Sequence, residues 1–209
     1  NLEGRDSTKG MVCCGRTGER GDSAAFCLGG VKAGAWAIVV WPDPVEEGAA
    51  ALAEQGFDLP PVFLVQDVRI ALWRVAACHR DTAVARVIGI TGTAGKTSVK
   101  EVLAHVLAMR GLTQRNPKNF NNQLGLPVSM LNASADASFW VMEAGISEAH
   151  DMDELGAILR PDIALILNVG QGHTEGLGKY GVAASKARLL DYVQPGGIAV
   201  VSADYADLN

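Results

Sequence analysis

The feature that most constrains this chain is an apolar run, Val87-Ile88-Gly89-Ile90, which breaks into Thr91-Gly92-Thr93-Ala94-Gly95-Lys96-Thr97-Ser98. Apolar residues then resume at Val99, Val102, Leu103, Val106 and Leu107, the i, i+3, i+4, i+7, i+8 spacing of one helical face. The order is strand, loop, helix. Glycines at 92 and 95 let the backbone turn tightly and approach an anion, so that successive N–H groups and the positive helix end point at it. Gly92, Thr93, Ala94, Gly95, Lys96, Thr97 and Ser98 are therefore expected to cradle nucleotide phosphates, with Lys96 reaching the terminal ones and the Thr97 hydroxyl on magnesium. The spacing departs from the usual G-x-x-x-x-G-K-[ST], because the residue five before Gly95 is Ile90. What stands here is a shorter G-x-x-G-K-T-S that keeps every chemical part.

A chain of 209 residues has room for one large domain or two small ones, and the pattern favours two. A net charge of −5 supplies no basic field for a nucleic acid. The longest apolar stretch, residues 33–41, is interrupted by Gly34 and is too short to span a bilayer. No signal pattern opens the chain, so a cytoplasmic protein without membrane insertion is expected. The four cysteines, Cys13, Cys14, Cys27 and Cys78, form no C-x-x-C pair. Adjacent Cys13 and Cys14 on a strand would point to opposite faces, which does not suit a shared metal.

Residues 1–80 read as a small α/β unit, with strands over 11–14, 35–41 and 62–65 and a helix over 45–55. A second helix runs from an N-cap at Asp67 to Cys78, with a stripe of Val68, Leu72, Val75 and Ala76. Residues 79–82 are the expected junction. Residues 81–209 then alternate: the loop and its helix, an asparagine-rich loop over 116–122, an apolar segment over 124–131, strands over 139–142 and 163–167, a helix over 181–193 and a strand over 198–201. Such alternation implies an α/β fold with a mostly parallel sheet and helices on both faces, whose ligands bind at the carboxyl ends of the strands.

Three strands of this second unit end in polar residues. The first ends in the phosphate loop. The second runs into Glu143, a carboxylate placed where a phosphate-bound cation needs an oxygen ligand. The third runs through Asn168, expected to face the nucleotide, into Gly170-Gln171-Gly172 and His173. His173 shares that edge with Glu143 and Lys96, unlike His79, His105 and His150, which read as structural. Lys186 lies on the apolar face of its helix, four residues after Val182 and four before Leu190. Burying an unpaired ammonium costs several kcal/mol, so Lys186 should snorkel, lose its proton or be chemically changed. The acidic group Asp151, Asp153 and Glu154 opens a helix and reads as charge that offsets the dipole.

Three segments carry a family resemblance: residues 92–101, G-T-A-G-K-T-S-V-K-E; residues 119–127, N-F-N-N-Q-L-G-L-P; and residues 173–190. Together they resemble the Mur ligases, most nearly the member that adds D-alanyl-D-alanine to UDP-N-acetylmuramoyl-tripeptide. In the first unit, Gly18-Glu19-Arg20, Asp22, Phe26 and Gly34-Ala35 look like marks of the family's uridine-nucleotide domain. Ser23 and Ala24 replace its usual Gly-His.

The resemblance implies ATP-driven amide bond formation through an acyl phosphate, in the synthesis of peptidoglycan precursors. ATP and Mg2+ are the implied cofactors, the two peptide substrates the implied partners, and a monomer the implied state. It further implies Thr97, Glu143, His173 and Lys186 as metal-binding positions, with Lys186 as a carbamate. Lys96, Lys186 and His173 become the candidate catalytic residues, and Asn121 and Asn122 the candidate substrate contacts. Another Mur-type ligase, a folylpolyglutamate-type ligase and a non-catalytic nucleotide-binding module are the competing expectations. The chain stops at Asn209, just after G-G-I-A-V-V-S-A-D, before the family's C-terminal domain, so little turnover is expected from it alone.

Overall fold

A computed structural model describes residues 11–14, 29–40, 56, 58, 60–169 and 181–203. The chain divides into two compact units, Asn1–Ala71 and Leu72–Asn209. The division falls inside a helix, Val68–Thr82 (α1), rather than at the polar residues 79–82 that close it.

In the first unit, strands β1 (Val12–Cys14), β2 (Ala37–Val40) and β3 (Val62–Leu64) form a parallel sheet in the order β1-β2-β3. All three lie inside the expected spans. Cys13 is buried and Cys14 half-buried on the opposite side, as period-2 alternation requires. Burial pushes the Cys14 thiol up from its ordinary pKa. The helix expected over 45–55 and the residues likened to a uridine-nucleotide domain at 18–26 lie outside the described residues. Asp67 caps α1 as expected, its Oδ1 accepting from the N–H groups of Arg69 at 2.7 Å and Ile70 at 3.0 Å. The stripe differs at one position, because Leu72 and Ala76 are buried whereas Val75 is exposed.

Among the described residues, the second unit forms a five-stranded, all-parallel sheet. Its strands are β4 (Arg86–Thr91), β5 (Thr113–Arg115), β6 (Phe139–Glu143), β7 (Ile163–Ile166) and β8 (Ile198–Val201), in the order β5-β6-β4-β7-β8. The connection from β4 to β5 steps one way across the sheet, and every later connection steps the other way. Right-handed crossovers then require helices on opposite faces. Helix α2 (Lys96–Ala108) accordingly packs on Ile88, Ile90 and Val141. Helices α3 (Gly125–Leu131), α4 (Asp151–Leu159) and α5 (Gly181–Ala187) contribute Leu126, Met130, Leu155 and Val182 to the other core, with Val87, Trp140 and Met142. Chains leaving β4 and β6, which are neighbours, therefore part to opposite faces, and a crevice opens between their carboxyl ends.

Three local differences from the sequence reading have physical causes. The edge strand β5, Thr-Gln-Arg, is too short and too polar to register as an apolar run. The helix expected to reach Val193 is α-helical only to Ala187 and tightens into a 3₁₀ turn, Arg188–Tyr192. That turn brings Arg188 and Tyr192 onto Asp153, at 2.9 and 3.0 Å. Helix α2 is rotated from its expected face: Val102 and Val106 are exposed, whereas Lys100 and Ala104 are buried. The lysine takes a core position because its ammonium has partners there. Among the described residues, no helix is long and apolar enough to cross a membrane.

Candidate functional site

The loop between β4 and α2 is held in shape by a residue 74 positions away. Asn168 Oδ1 accepts from the N–H groups of Thr93 and Ala94, each at 2.9 Å, and its Nδ2 donates to the Ala94 carbonyl at 2.8 Å. A Cβ on Gly92 would stand 3.1 Å from Leu167 Cβ and 3.4 Å from Asn168 N, so the chain at 92 passes tightly beneath the end of β7. Gly95 is the N-cap of α2 in the left-handed conformation, φ 79°, where side chains are strained. A Cβ there would meet nothing within 4 Å, so the space over the loop is open. No side chain caps α2, which leaves its opening N–H groups and positive dipole end to an outside anion. The Lys96 ammonium folds back over the loop, donating to the Gly92 carbonyl at 2.9 Å.

Glu143 ends β6 on the face covered by α2, because Phe139, Val141 and Glu143 alternate to that side. It is 2% exposed. The Thr97 hydroxyl donates to its Oε2 at 2.8 Å and Asn121 Nδ2 donates to its Oε1 at 2.7 Å. Its backbone is gripped as well: the Glu143 N–H donates to Asn116 Oδ1 at 2.9 Å, and Asn116 Nδ2 donates to the Glu143 carbonyl at 3.0 Å. Asn116 thus continues the pairing of β5 with β6 by one step, using its side chain. A fully buried cation completes the group, with Lys100 Nζ 3.8 Å from Glu143 Oε2.

From the opposite face of the sheet, α5 presents Lys186, 3% exposed on the buried stripe with Val182 and Leu189. It makes no hydrogen bond or ion pair with the described residues. Burial, and then the positive charge of Lys96, lower its pKa from 10.5 to about 8. Part of the Lys186 population is therefore a neutral amine near pH 8.

These features suit a magnesium nucleotide. The open helix end and the loop amides match phosphate oxygens, and the Thr97 hydroxyl with the Glu143 carboxylate is an oxygen pair of the kind a hard cation takes.

The sequence pattern described as Mur ligase middle domain matches residues 90–208, more than half of the chain. The chain belongs to the Mur ligase family. It is 33% identical to the UDP-N-acetylmuramoyl-tripeptide--D-alanyl-D-alanine ligase of Escherichia coli, over 97% of this chain and 42% of that protein. To the Bacillus subtilis protein of the same name it is 32% identical, over 90% of this chain and 39% of the other. Among solved structures it is similar to MurF from Acinetobacter baumannii, with a TM-score of 0.82 and 28% identity, covering 96% of this chain and 42% of that one. It is also similar to MurF ligase from Thermotoga maritima in complex with ADP, with a TM-score of 0.76 and 27% identity, covering all of this chain and 46% of that one. The chain spans less than half the length of each of these relatives.

The chain brings several of the residues singled out in its sequence into one crevice. Thr97, Glu143 and Asn121 touch in a row, and Asn168 shapes the phosphate loop. Asn122 faces the other way, its Oδ1 accepting the Gly125 N–H at 2.8 Å at the start of α3. His173 lies outside the described residues, as does the glycine-rich segment before it. Asp151 and Asp153 serve the local fold, through the N–H groups of Ser147 and Glu148 and through Arg188.

Two residues of the cluster escaped sequence reasoning. Lys100 carried only half of the spacing that singled out Lys186: apolar Ala104 stands four residues after it, but Lys96 stands four before. Asn116 carried none, being one asparagine among several in a polar loop.

Proposed function

We propose that this chain supplies the uridine-nucleotide and ATP-binding parts of a ligase that joins D-alanyl-D-alanine to UDP-N-acetylmuramoyl-tripeptide at the expense of ATP. In this reading the γ-phosphoryl group passes to the peptide carboxylate. The dipeptide amine then attacks the acyl carbon, and phosphate leaves as the amide forms. Residues 1–80 would hold the nucleotide-linked peptide and residues 81–209 the ATP.

The observation that carries the reading is the Thr97–Glu143 pair in the crevice between β4 and β6, beside a loop built for phosphates. The names of the relatives support it. Lys96, now folded on the Gly92 carbonyl, would swing to the terminal phosphates and offset charge as it shifts in the transition state. Thr97 and Glu143 would supply oxygens to Mg2+, and Asn121 would steady the carboxylate and meet the substrate edge. Lys186, held partly neutral, is suited to take up carbon dioxide as a carbamate, which turns a costly buried cation into an anion able to share a second Mg2+ with His173. Bound Mg2+ would supply Lewis-acid stabilisation of the phosphoryl oxygens.

The test is ADP formation with the remaining portion of the relatives supplied to this chain. Turnover that needs both peptide substrates is the expected result. Turnover that needs glutamate and a folate instead would replace this reading with the folylpolyglutamate one.

A further inference from the structure

Lys100 is 0% exposed, and its position is unusual for a residue of its charge. Its Nζ donates to the carbonyls of Asn116 at 2.8 Å and Lys118 at 3.0 Å, and lies 3.5 Å from Glu101 Oε1 and 3.8 Å from Glu143 Oε2. A buried ammonium is tolerated only when its donors are satisfied and a counter-charge is near. Here both conditions are met by one small neighbourhood. The two carbonyls belong to the loop that carries Asn116 and Asn121. Those asparagines in turn hold the Glu143 backbone and its carboxylate.

We infer that Lys100 is a positioning residue for the cation site: it ties the asparagine loop to the phosphate helix and so fixes how Glu143 and Thr97 face a divalent ion. The inference rests on the proposed Mg-nucleotide reading of the crevice. Lys100 touches neither nucleotide nor metal in this account. It lies one helical turn beyond Lys96 in α2, so one helix carries both the phosphate-facing and the loop-facing lysine. Removing the ammonium has two local consequences: the carbonyls of Asn116 and Lys118 lose their donor, and the loop that leads to Asn121 loses one of its ties, leaving the Gly145 N–H on the Asn121 carbonyl. Both loosen the carboxylate rather than the phosphate loop, which Asn168 holds separately.

The test compares ADP affinity in Mg2+ with ADP affinity in EDTA, for the wild-type chain, Lys100→Met and Lys100→Gln. Supporting residues behind metal ligands typically change metal affinity by roughly 10- to 100-fold. The expected result is a loss of that order in Mg2+ and little change in EDTA, so that the gain from Mg2+ largely disappears. Lys100→Gln, which keeps a donor for the carbonyls, should recover part of the gain and serves if Lys100→Met does not fold. In a Glu143→Gln background, Lys100→Met should cost little more, because the two substitutions remove the same interaction. Equal losses with and without Mg2+, or full additivity with Glu143→Gln, would overturn the inference and leave Lys100 as a fold residue. If the wild-type chain gains nothing from Mg2+, the nucleotide reading itself fails, and this inference fails with it.

Discussion

The Thr97 hydroxyl and the Glu143 carboxylate, 46 residues apart in sequence, meet at 2.8 Å across the crevice between β4 and β6. Neither group is needed there by the core. Thr97 is exposed at the mouth of α2, and Glu143 is a buried acid at the end of a strand whose other residues are apolar. Replacing either should remove an oxygen offered to Mg2+. Thr97→Val and Glu143→Gln are each expected to weaken Mg-ADP binding by roughly tenfold or more while leaving metal-free binding nearly unchanged. Titration calorimetry with and without EDTA reads the difference directly.

Lys186 makes a prediction about pH. Its pKa is lowered from 10.5 to about 8, so between those values the folded chain holds fewer protons than the unfolded chain. Stability therefore rises with pH through that window. Below about pH 8 the amine is protonated in both states and the cost of burying its charge is felt in full. In carbonate-free buffer, the difference in unfolding free energy between wild type and Lys186→Met should shift in favour of wild type from pH 8 to 10.5. Denaturant melts that run parallel across that range would contradict a lowered pKa.

Gly125 tests the asparagine loop from behind. A Cβ at this position would stand 2.6 Å from Phe120 Cα and 2.7 Å from its carbonyl carbon, backbone atoms that cannot move without dragging Asn121. Gly125→Ala is expected to cost about 1–3 kcal/mol in stability, as overpacking typically does. It should also weaken Mg-ADP binding, since displaced Asn121 no longer steadies Glu143. Thermal unfolding followed by ADP titration would separate the two effects. An unchanged melting temperature would show that the contact relaxes freely.

Much of this arrangement was legible in the sequence, and the limits of that legibility are physical. Residues 92–98 announce themselves because tight turning, close anion approach and helix initiation each demand particular residue types at adjacent positions. Glu143 and Lys186 stood out as charges where the apolar period asks for hydrophobic groups. The same period misled for Val102 and Val106, which are apolar but exposed, because helical spacing gives a face without saying which residue rows the sheet will cover. Lys100 was passed over for the complementary reason: a lysine beside an apolar row reads as solvent-facing unless its partners are known, and those partners are backbone carbonyls in a loop 16 and 18 residues on. Backbone acceptors have no sequence signature. Asn168 and Asn116 illustrate the same point, since each acts by pairing with main-chain groups.

Calorimetric titration of the chain with Mg-ATP, beside Lys96→Ala, decides whether the loop at 92–98 with its lysine forms a nucleotide phosphate site. A strong hydrogen bond to a charged group contributes about 1.5–3 kcal/mol, so saturable binding by the wild type and a loss of at least roughly tenfold in the variant are predicted. No binding by the wild type, or equal binding by both, would contradict the account.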